Sequence, residues 1–453
     1  MSTPTTPALD LFLDTNLPHY IDETARLCAI PSISAHRADA ARCAQAVADL
    51  LTRHGFDVQV LPTPGNPVVV GRLQGRSPRT MLFYNHYDVQ PVDPLNLWTS
   101  PPFEPTVRDG ALYARGAKDD KGELLARLAA VDAARAAHDG ESPCGVTFVV
   151  EGEEEVGSPH IAQFVRDHLD LLASHGAIWE EGQINAAGQP LLTLGRRGIL
   201  YVQLEAQAMS RDAHSGSAHI LPNAAWRLLY ALHSLRAPDG RILIHSFYDH
   251  VQPPTPLDLE LFAAEPSDED RLRREYGVSD FVDGLSGVAL KRAVFNPTCN
   301  IAGLTAGYQA DGMKTVIPAR ATAKVDFRLV PDQDPDDILG KLRRHLDEHG
   351  FEDIRIQRLG AMWPARAPAD DPLVQLTART GEDVYGKACV LTPLTGGSSP
   401  VYAFARPLGI PVVSPGVGYP GSRTHAPDEH VRLDHFLLAA RHIARILDGF
   451  GDL

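Results

Sequence analysis

Five short stretches of the chain carry nearly all the side chains suited to binding cations and moving protons. His86 and Asp88 stand in Tyr84-Asn85-His86-Tyr87-Asp88, directly after an apolar run. Alternate residues of a strand point to one side, so this imidazole and carboxylate can be neighbours. A carboxylate that takes one ring N–H fixes the tautomer and leaves the other nitrogen for a metal. Arg115-Gly116-Ala117-Lys118-Asp119-Asp120-Lys121-Gly122 reads as a turn entering a helix. An aspartate there can cap the helix, bridge two cations, or do both. Glu151-Gly152-Glu153-Glu154-Glu155 follows a strand-like run, where like charges repel unless cations or a shared proton compensate. One glutamate can ligate while its neighbour takes a proton from an attacking water. Glu180 or Glu181, and His425 in Ser422-Arg423-Thr424-His425, supply two further candidate ligands. Singly, each has an ordinary explanation: HxD triplets arise by chance and acidic runs usually face water. As a set, two histidines and three carboxylates without a thiolate suit a hydrolytic pair of zinc, cobalt or manganese ions better than a structural zinc.

The elements that must hold these residues alternate in type. Amphipathic helices are expected at 17–29 and 38–54, then strands at 68–70, 80–84 and 146–150, with helices at 120–137 and 160–172. From about Gly198 the pattern changes to an alternating strand at 200–208, a helix at 223–235, a strand-rich tract ending in 315–330, a helix at 335–349 and a strand at 354–359. That β-α-β-β-α-β order predicts a two-layer α+β domain. Helices at 373–385 and 433–447 resume the first style. The chain therefore predicts an α/β catalytic domain, a mixed sheet flanked by helices over 1–197 and 360–453, interrupted by an inserted α+β domain over 198–359.

With 453 residues, 44% hydrophobic and 22% charged, the chain is long enough for two or three globular domains and too apolar for disorder. A net charge of −15 argues against nucleic-acid or anionic-membrane partners. Five scattered cysteines, none in a CxxC pair, suggest neither a disulfide framework nor a thiolate zinc site. The first residues lack a basic segment followed by an apolar one, and no 18-residue apolar run occurs, so a cytoplasmic enzyme is expected.

His86-x-Asp88, Gly116-x-x-Asp119-Asp120-x-Gly122, Glu151-Gly-x-Glu154-Glu155-x-Gly157-Ser158 and the late His425 together resemble the M20 family of metallopeptidases. His86-Tyr-Asp-Val-Gln-Pro, Asp119-Asp-Lys-Gly and Phe327-Arg328-Leu-Val-Pro are most similar to its dimeric dipeptidase and carboxypeptidase branch. The resemblance implies two divalent ions, zinc first and manganese or cobalt as alternatives. Asp119 would bridge them, His86 and Glu180 would complete one site, and Glu155 and His425 the other. Glu154 would be the general base, Asp88 would orient His86, and the Asp119–Asp120 peptide would be cis. His214, in Asp212-Ala213-His214-Ser215-Gly216, resembles a histidine of the inserted lid domain that serves the neighbouring subunit's active site and steadies the oxyanion, which requires a homodimer. Arg328 would fork the substrate's C-terminal carboxylate rather than pair with Asp326, and Gly396-Gly397-Ser398 resembles a substrate loop. The implied reaction is hydrolysis of dipeptides or short peptides. The same centre also suits an N-acyl amino acid amidohydrolase, and a non-catalytic ligand-binding relative is the remaining alternative.

Overall fold

The computed structural model describes residues 6–34 and 36–453; residues 1–5, where the outer domain was expected to begin, and Ala35 lie outside the described residues. The mixed α/β architecture expected from the sequence is present. The chain divides into two compact units, one holding the residues up to Leu194 with Arg366–Pro393 and Ala403–Leu453, the other Gly195–Ala365 with Leu394–Tyr402.

The first unit is built on a six-stranded sheet in the order Asp57–Leu61, Val68–Leu73, Gly145–Glu151, Thr80–His86, Gly176–Ile178, Val412–Val413. The first two strands run antiparallel, and the last four are mutually parallel. Gly145–Glu151 is buried along its whole length, which is why Val146 to Val150 reads as an unbroken apolar run rather than an alternation. Helix Lys121–Ala137 packs against helices Thr6–Cys28 and Leu433–Phe450. It is alanine- and leucine-rich on all sides because almost its entire surface is covered. Among the described residues, no helix is long and apolar enough to cross a membrane.

The second unit carries an antiparallel sheet in the order Thr298–Ala306, Arg320–Leu329, Gly198–Gln207, Arg355–Met362. Buried and half-buried residues alternate along Gly198–Gln207, so one face meets the helices. Leu200, Val202 and Leu204 form a core there with Leu228 of helix Ala224–Leu235 and Leu342 of helix Pro335–Glu348. Both helices begin where side chains accept orphan backbone N–H groups: Asn223 from Ala225, and Asp334 from Asp336.

Two sequence expectations need correction here. The strand-rich tract begins only at Thr298; before it stand helices Pro256–Ala264, Glu269–Tyr276 and Gly287–Arg292. The signal was local: Thr255 and Asp258 form a reciprocal capping box with Pro256 in the first helical turn. Residues 195–197, 360–365 and 394–402, expected in the catalytic domain, fall in the second unit instead. Thr395 N–H donates to the Gly195 carbonyl at 3.0 Å, and Arg197 N–H donates to that of Gly397 at 2.9 Å.

Candidate metal centre

His86 ends the strand Thr80–His86, paired with Glu151 at the end of its parallel neighbour. The carboxyl ends of parallel strands are where open α/β sheets gather ligands. The His86 ring is buried, and its Nδ1 meets the backbone carbonyl of Asp88 at 3.0 Å, closer than the Asp88 carboxylate at 3.4 Å. The orienting task expected of the Asp88 side chain thus falls mainly to its carbonyl. The carboxylate accepts instead from the N–H groups of Glu154 and Glu155 at 3.2 and 3.1 Å and from the Ser34 hydroxyl at 2.7 Å, which holds the glutamate turn in place.

Asp119 and Asp120 are joined by a cis peptide and precede helix Lys121–Ala137. Asp120 occupies the N-cap position, yet its side chain makes no cap bond. Its Oδ2 turns inward and accepts from Asn85 Nδ2 at 2.6 Å and His86 N–H at 3.0 Å. The capping role considered for an aspartate is therefore not realised. Asp119 faces the histidines: Oδ1 lies 3.0 Å from His86 Nε2, and Oδ2 lies 3.1 Å from His425 Nε2. The same His425 nitrogen is 3.1 Å from Glu155 Oε2. Gly122 is required behind them, because a Cβ there would lie 2.0 Å from the Ala117 carbonyl oxygen.

His425 sits in a loop where Arg423, His425 and Asp428 have φ of 54°, 62° and 59°, the left-handed region that L-residues other than Asn, Asp and His seldom enter. Side chains from distant segments hold the loop. Asp428 accepts from Thr99 N–H at 2.9 Å and the Thr99 hydroxyl at 2.7 Å. Glu429 accepts the N–H groups of Lys118 and Asp119 at 3.0 Å each through Oε1, and Arg115 Nη1 at 2.6 Å through Oε2. Arg115 and Glu429 are both buried and clamp the aspartate turn to the His425 loop. Neither was singled out from the sequence, although Arg115 opens the aspartate stretch and Glu429 stands four residues after His425.

Glu180 follows strand Gly176–Ile178 and is 3% exposed, whereas Glu181 is exposed; of the two, Glu180 is the inward one. Arg127 donates to the carbonyls of Tyr84 and Trp179 and to Asn85 Oδ1, tying the ends of neighbouring strands together. Trp179 stacks on Tyr84 with ring centroids 3.8 Å apart.

Burial opposes charge throughout this centre, and the carboxylates respond unequally. Against burial, Lys118 and the bonds from His425 and His86 hold Asp119 well below the usual carboxylate range. Burial, reinforced by Glu154, pushes Glu180 well above it. Glu154 is pushed up to about 7, first by burial and then by Glu155, Asp119 and Asp88, with His86 opposing. The bonds to Asp119 and Glu155 push His425 up to about 10. Each imidazole–carboxylate contact thus attracts either a proton or another cation. Oε1 of Glu155 and Oε2 of Glu180 are buried with no hydrogen-bond donor, a costly state for carboxylate oxygens that a cation relieves. Asp119, Glu155 and His425 each offer a donor atom within 4.8 Å of the others. The donor set, nitrogen and oxygen only, fits divalent hydrolytic metals.

His214, Arg328, Gly397 and Ser398 belong to the second unit. His214 is exposed, with Nδ1 accepting from Gly216 N–H at 3.0 Å and Nε2 lying 3.4 Å from the Thr315 hydroxyl. Arg328 Nη1 donates to the Ser398 hydroxyl at 3.0 Å, and its Nε is 3.8 Å from Asp326. A cavity of about 500 Å³ beside them is lined by Arg328, Arg236, Asp326, Asn300 and Thr298.

The family described as "Peptidase family M20/M25/M40" matches residues 82–449. Human Beta-Ala-His dipeptidase is 32% identical over 337 residues, which cover 73% of this chain and 65% of that protein. The Cys-Gly metallodipeptidase dug1 of Schizosaccharomyces pombe is 27% identical over 462 residues, covering 94% of each chain. The crystal structure of an M20 family metallo-carboxypeptidase, Sso-CP2 from Sulfolobus solfataricus, matches with a TM-score of 0.84 at 33% identity, covering 96% of this chain and 99% of that one.

Proposed function

The chain belongs to peptidase family M20/M25/M40, and from that premise we propose that it hydrolyses the peptide bond of dipeptides or short peptides at a pair of divalent ions. The observation that carries this reading is the meeting of His86, Asp119, Glu155 and His425 around contacts of 3.0 to 3.1 Å, with donorless buried oxygens on Glu155 and Glu180. Relatives named as dipeptidases support the substrate class. Asp119 would be common to both ions, His86 and Glu180 would hold one, and Glu155 and His425 would hold the other. Zinc is the first choice, with manganese or cobalt as alternatives.

When bound, the pair supplies Lewis acidity toward the scissile carbonyl and a lowered pKa for the attacking water. Glu154 accepts the proton of that water on its carboxylate and returns it to the leaving amine. His214 meets the negative charge that develops on the carbonyl oxygen. Arg328, steadied by Ser398, takes the substrate's C-terminal carboxylate, and the Gly397 segment offers backbone N–H groups to the ligand. In this reading the protein works as a homodimer joined through the inserted domain, with His214 acting on the partner subunit. Exposed Trp226 and Tyr230 on one helix of that unit, and Ile301 and Leu304 on its edge strand, support this. The five free thiols support a cytoplasmic site of action.

The test is an assay of the purified protein, loaded in turn with zinc, manganese and cobalt, against unblocked dipeptides and N-acetyl amino acids. Cleavage of the dipeptides is expected. Turnover confined to the N-acetyl compounds assigns the chain to amide deacylation instead, and absence of bound metal after loading leaves no hydrolase reading.

A further inference from the structure

The first unit holds a second meeting of histidines and carboxylates that shares no residue with the centre above. His19 and Glu23 lie one turn apart on helix Thr6–Cys28, and His54 is the C-cap residue of helix Arg37–Arg53. The i,i+4 spacing puts the first two side chains on one helix face. Nε2 of His54 lies 3.1 Å from Glu23 Oε2, and Nε2 of His19 lies 3.5 Å from the same oxygen. The three residues offer donor atoms that all fall within 4.8 Å of one another. Ligands held at about 2.1 Å from one tetrahedral ion stand about 3.4 Å apart, so these spacings already suit a common ion.

The surroundings prepare the donors as ligands. His54 Nδ1 meets Asp132 Oδ2 at 2.5 Å, and the Tyr20 hydroxyl donates to the same oxygen at 2.8 Å. A carboxylate that accepts the Nδ1–H hydrogen bond fixes the tautomer that leaves Nε2 with a lone pair facing Glu23, the backing that metal-binding imidazoles usually have. Glu23 is 5% exposed; Arg53 holds its Oε1 at 3.2 Å and leaves Oε2 to the two imidazoles. His19 is 55% exposed, so the remaining side of the cluster is open to water.

We propose that His19, Glu23 and His54 form a separate site for one divalent transition-metal ion of the zinc type, which fastens the first helix to the end of the second. The ion is a cross-link, with no part in hydrolysis. The competing arrangement is an imidazolium held between Glu23 and Asp132 with no metal at all, and the experiment separates the two. Full-length protein is stripped with chelator, reloaded with zinc and dialysed, and its zinc content is compared with that of His19→Ala and Asp132→Asn treated alike. His19→Ala is expected to retain one zinc fewer per chain than the wild type while hydrolysing substrate at the wild-type rate. Asp132→Asn is expected to weaken that one zinc by about 10- to 100-fold. Cobalt in place of zinc should give a tetrahedral visible absorption that is smaller in His19→Ala. Because the readout is a difference between two proteins, it does not depend on how many ions the catalytic centre holds. Equal zinc content in wild type and His19→Ala overturns the proposal, and since His19 is mostly exposed, a folding failure does not confuse the result.

Discussion

Two clusters in one unit bring imidazole nitrogens against carboxylate oxygens, at 3.0 and 3.1 Å around Asp119 and at 3.1 and 3.5 Å around Glu23. They differ in what balances the carboxylates. Around Asp119 the acids crowd together, burial pushes Glu154 and Glu180 upward, and carboxylate oxygens lack donors. Around Glu23 the charge is already partly met by Arg53, with Arg135 reaching Asp132 at 3.7 Å. The first cluster therefore demands more positive charge than its histidines supply, while the second needs one ion at most. Similar donor geometry is compatible with a reactive centre or with a cross-link; uncompensated buried charge, together with a glutamate left free to move a proton, is what separates them.

That contrast is most directly broken at Glu154. Glu154→Gln removes the proton acceptor and none of the assigned ligands, so turnover should fall by about 10²- to 10⁴-fold while zinc content stays at the wild-type level. Near-normal turnover in this variant contradicts the assignment of the base. A histidine with no carboxylate at all provides the control. His442 is fully buried, its Nε2 donates to the Thr377 carbonyl at 2.8 Å, and burial together with Arg445 pushes it down to about 4. Its folded value lies below the unfolded one near 6.5, so the unfolded chain takes the proton first. The associated stability is present above about pH 6.5 and declines as pH falls through 4, by about 3 kcal/mol in all. Urea titrations across that window should show a steeper acid loss for the wild type than for His442→Gln; parallel losses mean that His442 is not held neutral. The smallest effect belongs to the second cluster without metal. In chelated protein, His54→Gln is expected to lower stability by about 1–2 kcal/mol through the bonds lost to Asp132 and Glu23. Adding zinc should widen that difference, and an unchanged gap on zinc addition argues for a simple ion-pair network.

The two clusters were unequally visible beforehand. His86, Asp119, Glu154, Glu155 and His425 announced themselves because several carboxylates stood at the ends of strand-like runs, where a solvated acidic face is a poor explanation. His19, Glu23 and His54 gave no such cue: an i,i+4 pair on an outer helix and a histidine before a helix-ending glycine are ordinary surface chemistry. The α/β sheet and the β-α-β-β-α-β order of the inserted unit were legible for a similar reason, since the side-chain periods of 2 and 3.6 are local. The short helices between Pro256 and Arg292 were missed because none is long enough to carry an extended apolar stripe, and only the first has a side-chain cap.

Residue types and their spacing settled which donors exist, that thiolates are not among them, and where the strands of the first sheet run. They left open which of Glu180 and Glu181 turns inward, and they favoured the Asp88 carboxylate where its carbonyl stands closer. They also left open how the aspartate turn meets His425, which depends on pairs such as Arg115 and Glu429, 314 positions apart, and on a left-handed loop at His425 held by partners from elsewhere in the chain. A buried charge or a strained backbone is tolerated only when distant groups arrive together to compensate it, and that simultaneity belongs to the folded molecule rather than to any local stretch of residues.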